Sequence, residues 1–158
     1  MKRMPGTGAT RVAIAAVVVL ATTAMASGPT SAAPTNPQWL AECGSCHVPY
    51  PPRMLPANSW RAIMDRLDSH FGTDASIDAA TRASIGTFLA AHAASDGGAS
   101  PSSPVLRITE TARFIRKHHR ISATTWRSDK VGNPANCDAC HGGADRGSFS
   151  DHDVRIPR

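Results

Sequence analysis

The sequence predicts an all-α protein, built of short helices and irregular loops and divided into two small lobes. Three observations predict this. No stretch alternates apolar and polar residues as a half-buried strand does. Apolar side chains recur at helical spacing from Trp60 to Phe71. Between the halves, residues 95–104 (Ser-Asp-Gly-Gly-Ala-Ser-Pro-Ser-Ser-Pro) have the composition of a linker. A chain of 158 residues allows one domain or two small ones, and with 41% hydrophobic and 5% aromatic residues it has little material for a conventional core.

In chain order, residues 1–26 read as a secretory signal. Lys2, Arg3 and Arg11 make a positive start, Val12 to Ala24 is an uncharged apolar run of 13 residues, and Ala24-Met25-Ala26 supplies the small residues of a cleavage site after Ala26. Thirteen residues are too few for a membrane-spanning helix, which needs about 20. The whole chain has 17 basic and 12 acidic residues, a net charge of +5; losing the three signal cations leaves +2.

Residues 27–94 form the first lobe. Asn36-Pro37 starts a helix, since Asn caps and Pro fits the first turn, and that helix carries Trp39, Leu40 and Cys43-Gly44-Ser45-Cys46-His47. Tyr50-Pro51-Pro52 stops it. Pro56 to His70 is the second helix, with Trp60, Ile63, Met64, Leu67 and Phe71 on one stripe and Gly72 as its stop. Ile77 to Ala94 is the third, with Ile77, Ile85, Phe88 and Leu89 inward. After the linker, residues 105–158 form the second lobe. Thr109 caps a helix running to about His119, residues 121–133 are irregular, and Asn133-Pro134 opens a short helix for Cys137-Asp138-Ala139-Cys140-His141. Residues 27–103 carry four basic and six acidic residues, and residues 104–158 ten basic and six acidic. The second lobe, where Arg107, Arg113, Arg116, Lys117 and Arg120 surround His118, is therefore the candidate docking face for an acidic partner.

All four cysteines lie in the two Cys-x-x-Cys-His motifs. Two cysteines three positions apart on a helical turn face the same way and can form thioethers to the two vinyl groups of one haem. The histidine that follows then supplies a nitrogen to the iron. Two haem c groups, bonded to Cys43 and Cys46 and to Cys137 and Cys140 with His47 and His141 as proximal ligands, would also provide the missing apolar bulk. A four-thiolate zinc site is the rival, but paired ribbon motifs stand about 15–20 residues apart, whereas Cys46 and Cys137 are 91 apart and neither terminal histidine is needed. A Cys43–Cys46 redox disulfide would need a βαβ pattern, and none is visible.

The sixth position on each iron decides the chemistry, because a filled one suits electron transfer and an open one suits binding or catalysis. The candidates are His70, His92, His118, His119, His152, Met54 and Met64. His70 continues the apolar stripe and His118 follows Phe114 by four on the inward face of its helix. His92 is the second choice for the first haem. His119 points away, His152 lies in an acidic loop, Met64 reads as core, and Met54 sits in a turn close to His47.

The residues resemble the dihaem cytochrome c family, from about Trp39 to Pro157. The resemblance rests on Glu42 to His47, Tyr50-Pro51-Pro52, Leu55-Pro56, Ser59-Trp60 and His70-Phe71-Gly72 in the first half. In the second it rests on Arg107-Ile108-Thr109, Phe114 with His118, Asn136 to His141, Gly147 with Phe149, and Ile156-Pro157. Ala112-Arg113 departs from the Pro-Trp-type lead usual before that Phe. The resemblance implies a first lobe like cytochrome c, two bis-histidine haems with His70 and His118 as distal ligands, and electron transfer in the periplasm. It also implies partners: a membrane cytochrome b on one side and a soluble cytochrome, including an oxygen-binding monohaem type, on the other. The alternatives are a dihaem enzyme (a peroxidase or an oxidoreductase of small sulfur or nitrogen compounds) or a gas-binding haem protein with one labile distal ligand.

Overall fold

The computed structural model describes Met1, residues 34–95 and residues 103–158. The signal segment and the centre of the linker lie outside the described residues. Residues 32–158 form one compact unit.

Five short α-helices and several single 3-10 turns make up the described chain, and pairing between strands is limited to isolated bridges. Helix α1 (Pro37–Cys43) begins as the sequence dictates: Pro37 occupies its first position and the Asn36 side chain accepts from Trp39 N at 3.0 Å. It ends at Cys43, so the helix carries only the first residue of the Cys motif, and Gly44 to His47 follow it. Gly44 is required there, because a Cβ would collide with the Leu40 carbonyl oxygen that its own N–H binds.

Helix α2 (Ala57–Met64) is shorter than the stripe predicts. Arg66 leaves the helical region (φ −133°, ψ 38°), Leu67–Ser69 forms a 3-10 turn, and the Leu67 carbonyl accepts from Ala75 N at 2.8 Å instead of continuing a helix. His70 is thus on a turn, and Phe71, expected inward, is 46% exposed with φ +51°. Helix α3 (Ala79–Ala91) is capped by the Asp78 carboxylate, which accepts from Ala80 N and Thr81 N. Helices α1 and α2 both pack on α3, burying Trp39, Leu55, Trp60, Met64, Ile85 and Leu89 in one cluster. Full burial of each such aliphatic chain stabilises the fold by about 1.5–3 kcal/mol. Trp60 Nε1–H donates to the Pro52 carbonyl at 2.7 Å, so the indole is buried without an orphaned donor.

Helix α4 (Ala112–His118) is capped by Thr111, not Thr109, because Ile108–Glu110 closes a 3-10 turn first and Thr111 Oγ1 then accepts from Phe114 N at 3.1 Å. Helix α5 (Ala123–Trp126), capped by Ser122, occupies a stretch expected to be irregular. The second Cys motif has no α-helix: Asn133 Oδ1 accepts from Ala135 N in a turn, and Cys137–Ala139 is a 3-10 turn. In residues 103–158 only Val131 and Ala144 are buried hydrophobics. Ile108, Phe114, Ile121, Trp126, Phe149 and Ile156 line a cavity instead.

The segments before and after residues 96–102 touch at defined points. Tyr50 Oη–H donates to the Ala135 carbonyl at 2.8 Å, Arg53 donates to the Gly147 carbonyl at 3.0 Å, and the Arg107 guanidinium lies 4.3 Å from the centre of the Phe71 ring.

Candidate functional site

Two sites are present, each built on one Cys motif. At the first, α1 delivers Cys43 from its last turn. Ser45 Oγ donates to the Glu42 carbonyl at 2.9 Å, folding the chain back so that Cys46 and His47 follow in a tight turn. His47 Nδ1–H donates to the Val48 carbonyl at 2.8 Å, which leaves Nε2 as the free nitrogen. Its ring stacks on Tyr50 (4.6 Å, 21°) and faces His70 with centroids 6.4 Å apart and planes 23° from parallel. His70 arrives by the turn after Leu67–Ser69, and the left-handed backbone of Phe71 behind it is a conformation non-glycine residues rarely adopt.

At the second site, His118 closes α4. Its Nδ1–H donates to the Phe114 carbonyl at 2.9 Å and its ring stacks on Phe114 (4.0 Å, 18°), with Trp126 beyond. His141 lies 6.1 Å from His118, centroid to centroid, with the planes at 68°. Behind the motif, Cys140 O accepts from Arg155 N at 2.9 Å and His141 bridges to Val154, so the C-terminal segment straps it down. His141 Nδ1 is buried without a hydrogen-bond partner.

Between these imidazoles opens a cavity of about 1160 Å³, lined by Phe114, His118, Trp126, Cys137, Cys140 and His141 among others. That exceeds the roughly 300–1,000 Å³ of ordinary small-molecule pockets. Apolar walls, two thiols and two opposed imidazoles fit a haem bonded at Cys137 and Cys140. The first site has the same donor set in a more open setting, with a hollow of about 150 Å³ beside His70 lined by Ile63, Phe71 and Leu106.

The electrostatics favour the neutral forms of His70 and His141. Burial, reinforced by the neighbouring imidazole, lowers the pKa of His70 and of His141, although Asp151 partly opposes this at His141. Only the neutral ring binds a metal. Burial, with Glu42 adding, pushes the free Cys43 thiol up to about 11; burial, with Asp138 and Cys140 adding, does the same to Cys137. Once bonded to vinyl carbons, neither sulfur titrates. Tyr50 is pushed up to about 12, chiefly by burial and then by Cys137 and Asp138, so its hydroxyl stays a donor.

The remaining candidates are elsewhere. His92 caps the end of α3, exposed, with its ring 5.1 Å from Phe88. His119 is exposed and bonded to the Arg116 carbonyl, His152 is exposed in the turn Asp151–Asp153, and Met64 is core. Met54 lines the second cavity. Among the described residues no three His, Cys, Asp or Glu side chains converge on a metal position, as the zinc rival requires, and all four cysteines are unpaired. Sequence reasoning missed Tyr50, Trp126 and Arg53. Tyr50 was visible only as the start of a helix stop and as part of the motif Tyr50-Pro51-Pro52, with no role at the site, and nothing local marked the other two.

Comparison with known proteins bears on both sites. Residues 39–149 match the family model described as dihaem cytochrome c. Among solved structures, a dihaem cytochrome c from Rhodobacter sphaeroides is 41% identical with a TM-score of 0.67, covering 73% of this chain and 97% of its own. A dihaem cytochrome type c from Shewanella baltica OS155 is 42% identical with a TM-score of 0.68, covering 78% and 94%. Among curated proteins there is no match.

Proposed function

The chain belongs to the dihaem cytochrome c family, and from that premise we propose that it is a periplasmic electron carrier with two bis-histidine haems. Membership implies two haem c groups, each with an iron. When bound, each haem supplies a single-electron couple at its iron.

The observation that carries the reading is the spacing of the histidine pairs. A metal–imidazole bond of about 2.0 Å and about 1.2 Å from nitrogen to ring centre place two imidazoles on opposite sides of one metal ion about 6.4 Å apart. His47 and His70 stand at 6.4 Å, and His118 and His141 at 6.1 Å. Two pairs at that separation, each with its members 23 positions apart in sequence, are hard to account for by packing alone.

The chain's own residues then have distinct tasks. Cys43, Cys46, Cys137 and Cys140 anchor the haems covalently. The Val48 and Phe114 carbonyls orient His47 and His118 through Nδ1–H, which raises the basicity of the nitrogen facing the iron. Phe114, Trp126 and Phe149 exclude water at the second site. With nitrogen ligands on both faces and no sulfur, the potentials lie low, since Met ligation is what raises them. A filled sixth position favours electron transfer over substrate binding. The resemblance supports a membrane cytochrome b as donor and a soluble cytochrome as acceptor. Export follows from the reading of residues 1–26, and no helix among the described residues is long and apolar enough to cross a membrane.

Carbon monoxide tests this reading. The reduced native protein should bind almost none rapidly, His70→Ala or His118→Ala should open one haem per molecule, and His92→Ala should open neither. Rapid stoichiometric binding by the native protein would favour the gas-binding or enzymatic alternatives instead.

A further inference from the structure

We propose that Tyr50, the chain's only tyrosine, couples the two haem sites electronically; the inference rests on the bis-histidine reading above. The Tyr50 ring stacks on the His47 imidazole at 4.6 Å with the planes 21° apart. Its hydroxyl donates to the Ala135 carbonyl at 2.8 Å. From that carbonyl the peptide runs through Asn136 to Cys137, an anchor of the second haem. One stacked contact and one hydrogen bond are therefore the only non-covalent steps between a ligand of the first site and an attachment point of the second.

The turn that carries Tyr50 is itself held to the second site. Arg53 donates to the Gly147 carbonyl at 3.0 Å, so the stretch 50–53 grips the second motif from before and behind. Another contact between the segments, Arg107 over Phe71, leads nowhere comparable: Arg107 pairs with Glu110, and no hydrogen bond among the described residues carries it on to His118 or to the second motif. Tyr50 thus acts as a positioning residue in two ways. It fixes the plane of the His47 ring, and it supplies a short bonded route between the two motifs.

The step itself is simple. With both haems bound, one electron would pass from a ferrous iron at one site, leaving it ferric, to the ferric iron of the other, leaving that ferrous. No bond is made or broken, no proton moves, and the phenol remains a neutral donor.

The test compares the holoprotein with Tyr50→Phe and Tyr50→Leu. Phenylalanine keeps the ring on His47 and removes the hydroxyl; leucine removes both. Half-reduced samples are followed by NMR, where broadening of the haem methyl signals reads electron exchange within one molecule. Exchange should slow severalfold in Tyr50→Phe and further in Tyr50→Leu, while the low-spin spectra and midpoint potentials of Tyr50→Phe stay native. A residue with only a packing role would shift stability and leave that rate unchanged, and an unchanged rate in Tyr50→Phe overturns the proposal. Should Tyr50→Leu not fold, Tyr50→Phe decides alone. Failure of the bis-histidine reading is separately visible as a high-spin signal in the native protein.

Discussion

On the proposed reading four imidazoles carry the chemistry, and they are held in three ways. Val48 and Phe114 carbonyls fix His47 and His118, a turn with a left-handed Phe71 presents His70, and the C-terminal strap backs His141. His47 and His141 were legible in the sequence because a Cys-x-x-Cys-His motif is a local signal. His118 was legible as well, since its helix face forms as the spacing predicts. His70 was reached by an argument that holds only in part. The stripe is real as far as Met64, but the helix stops there, and the residue meets His47 through a turn whose path no periodicity encodes. Burial lowers the pKa of His70 and His141 below the ordinary 6.5. The unfolded chain therefore takes up protons first as pH falls, and iron ligation acts in the same direction. Stability should be complete above about pH 6.5 and decline as pH drops from there through the lowered folded-state values. Thermal unfolding of the holoprotein against pH checks this, and His70→Gln should flatten the decline.

At the scale of elements, caps decide where helices begin. Asn36 and Asp78 act as expected of side chains that accept from the first free backbone N–H groups. At α4 the cap moved from Thr109 to Thr111, because two threonines two positions apart are equivalent by composition and only the intervening 3-10 turn separates them. Thr111→Ala should cost about 1 kcal/mol in a denaturant titration, with a range of roughly 0.5–2. It should also weaken the end of α4 that holds His118. The absence of a helix at the second motif has a related cause. Asn133 bonds to Ala135 N and closes a turn, so the Asn-Pro pair spends its cap locally. Sequence alone cannot rank those two uses of one side chain.

Across the whole molecule, the hydrophobic core is one-sided. Trp39, Leu55, Trp60, Met64, Ile85 and Leu89 form it, all from the first segment. In the second segment Phe114, Trp126, Phe149 and several aliphatic side chains surround a cavity instead, where a bound haem would serve a chain with 41% hydrophobic residues as core. The shortage of apolar residues was legible in the composition; which half would go without a core was not, because it depends on long-range packing. Charge is also redistributed by folding. Arg107 and Lys117 are engaged with Glu110 and Asp151, while Arg53, Arg113 and Arg120 line the second cavity. Docking at this rim predicts that electron transfer with an acidic partner slows steeply as salt rises, because exposed charges are screened beyond about 8 Å at physiological ionic strength. A flat response in stopped-flow kinetics would place the partner elsewhere.

Both sites can be read together in one low-temperature electron paramagnetic resonance spectrum of the oxidised protein. The account predicts two low-spin ferric signals of equal weight and different shape. The near-parallel pair, His47 and His70 at 23°, should give a rhombic signal with resolved features; the crossed pair, His118 and His141 at 68°, should give a strongly anisotropic signal dominated by one low-field feature. A stoichiometric high-spin signal in the native protein would show an open iron and contradict the claim that both haems are closed by histidine.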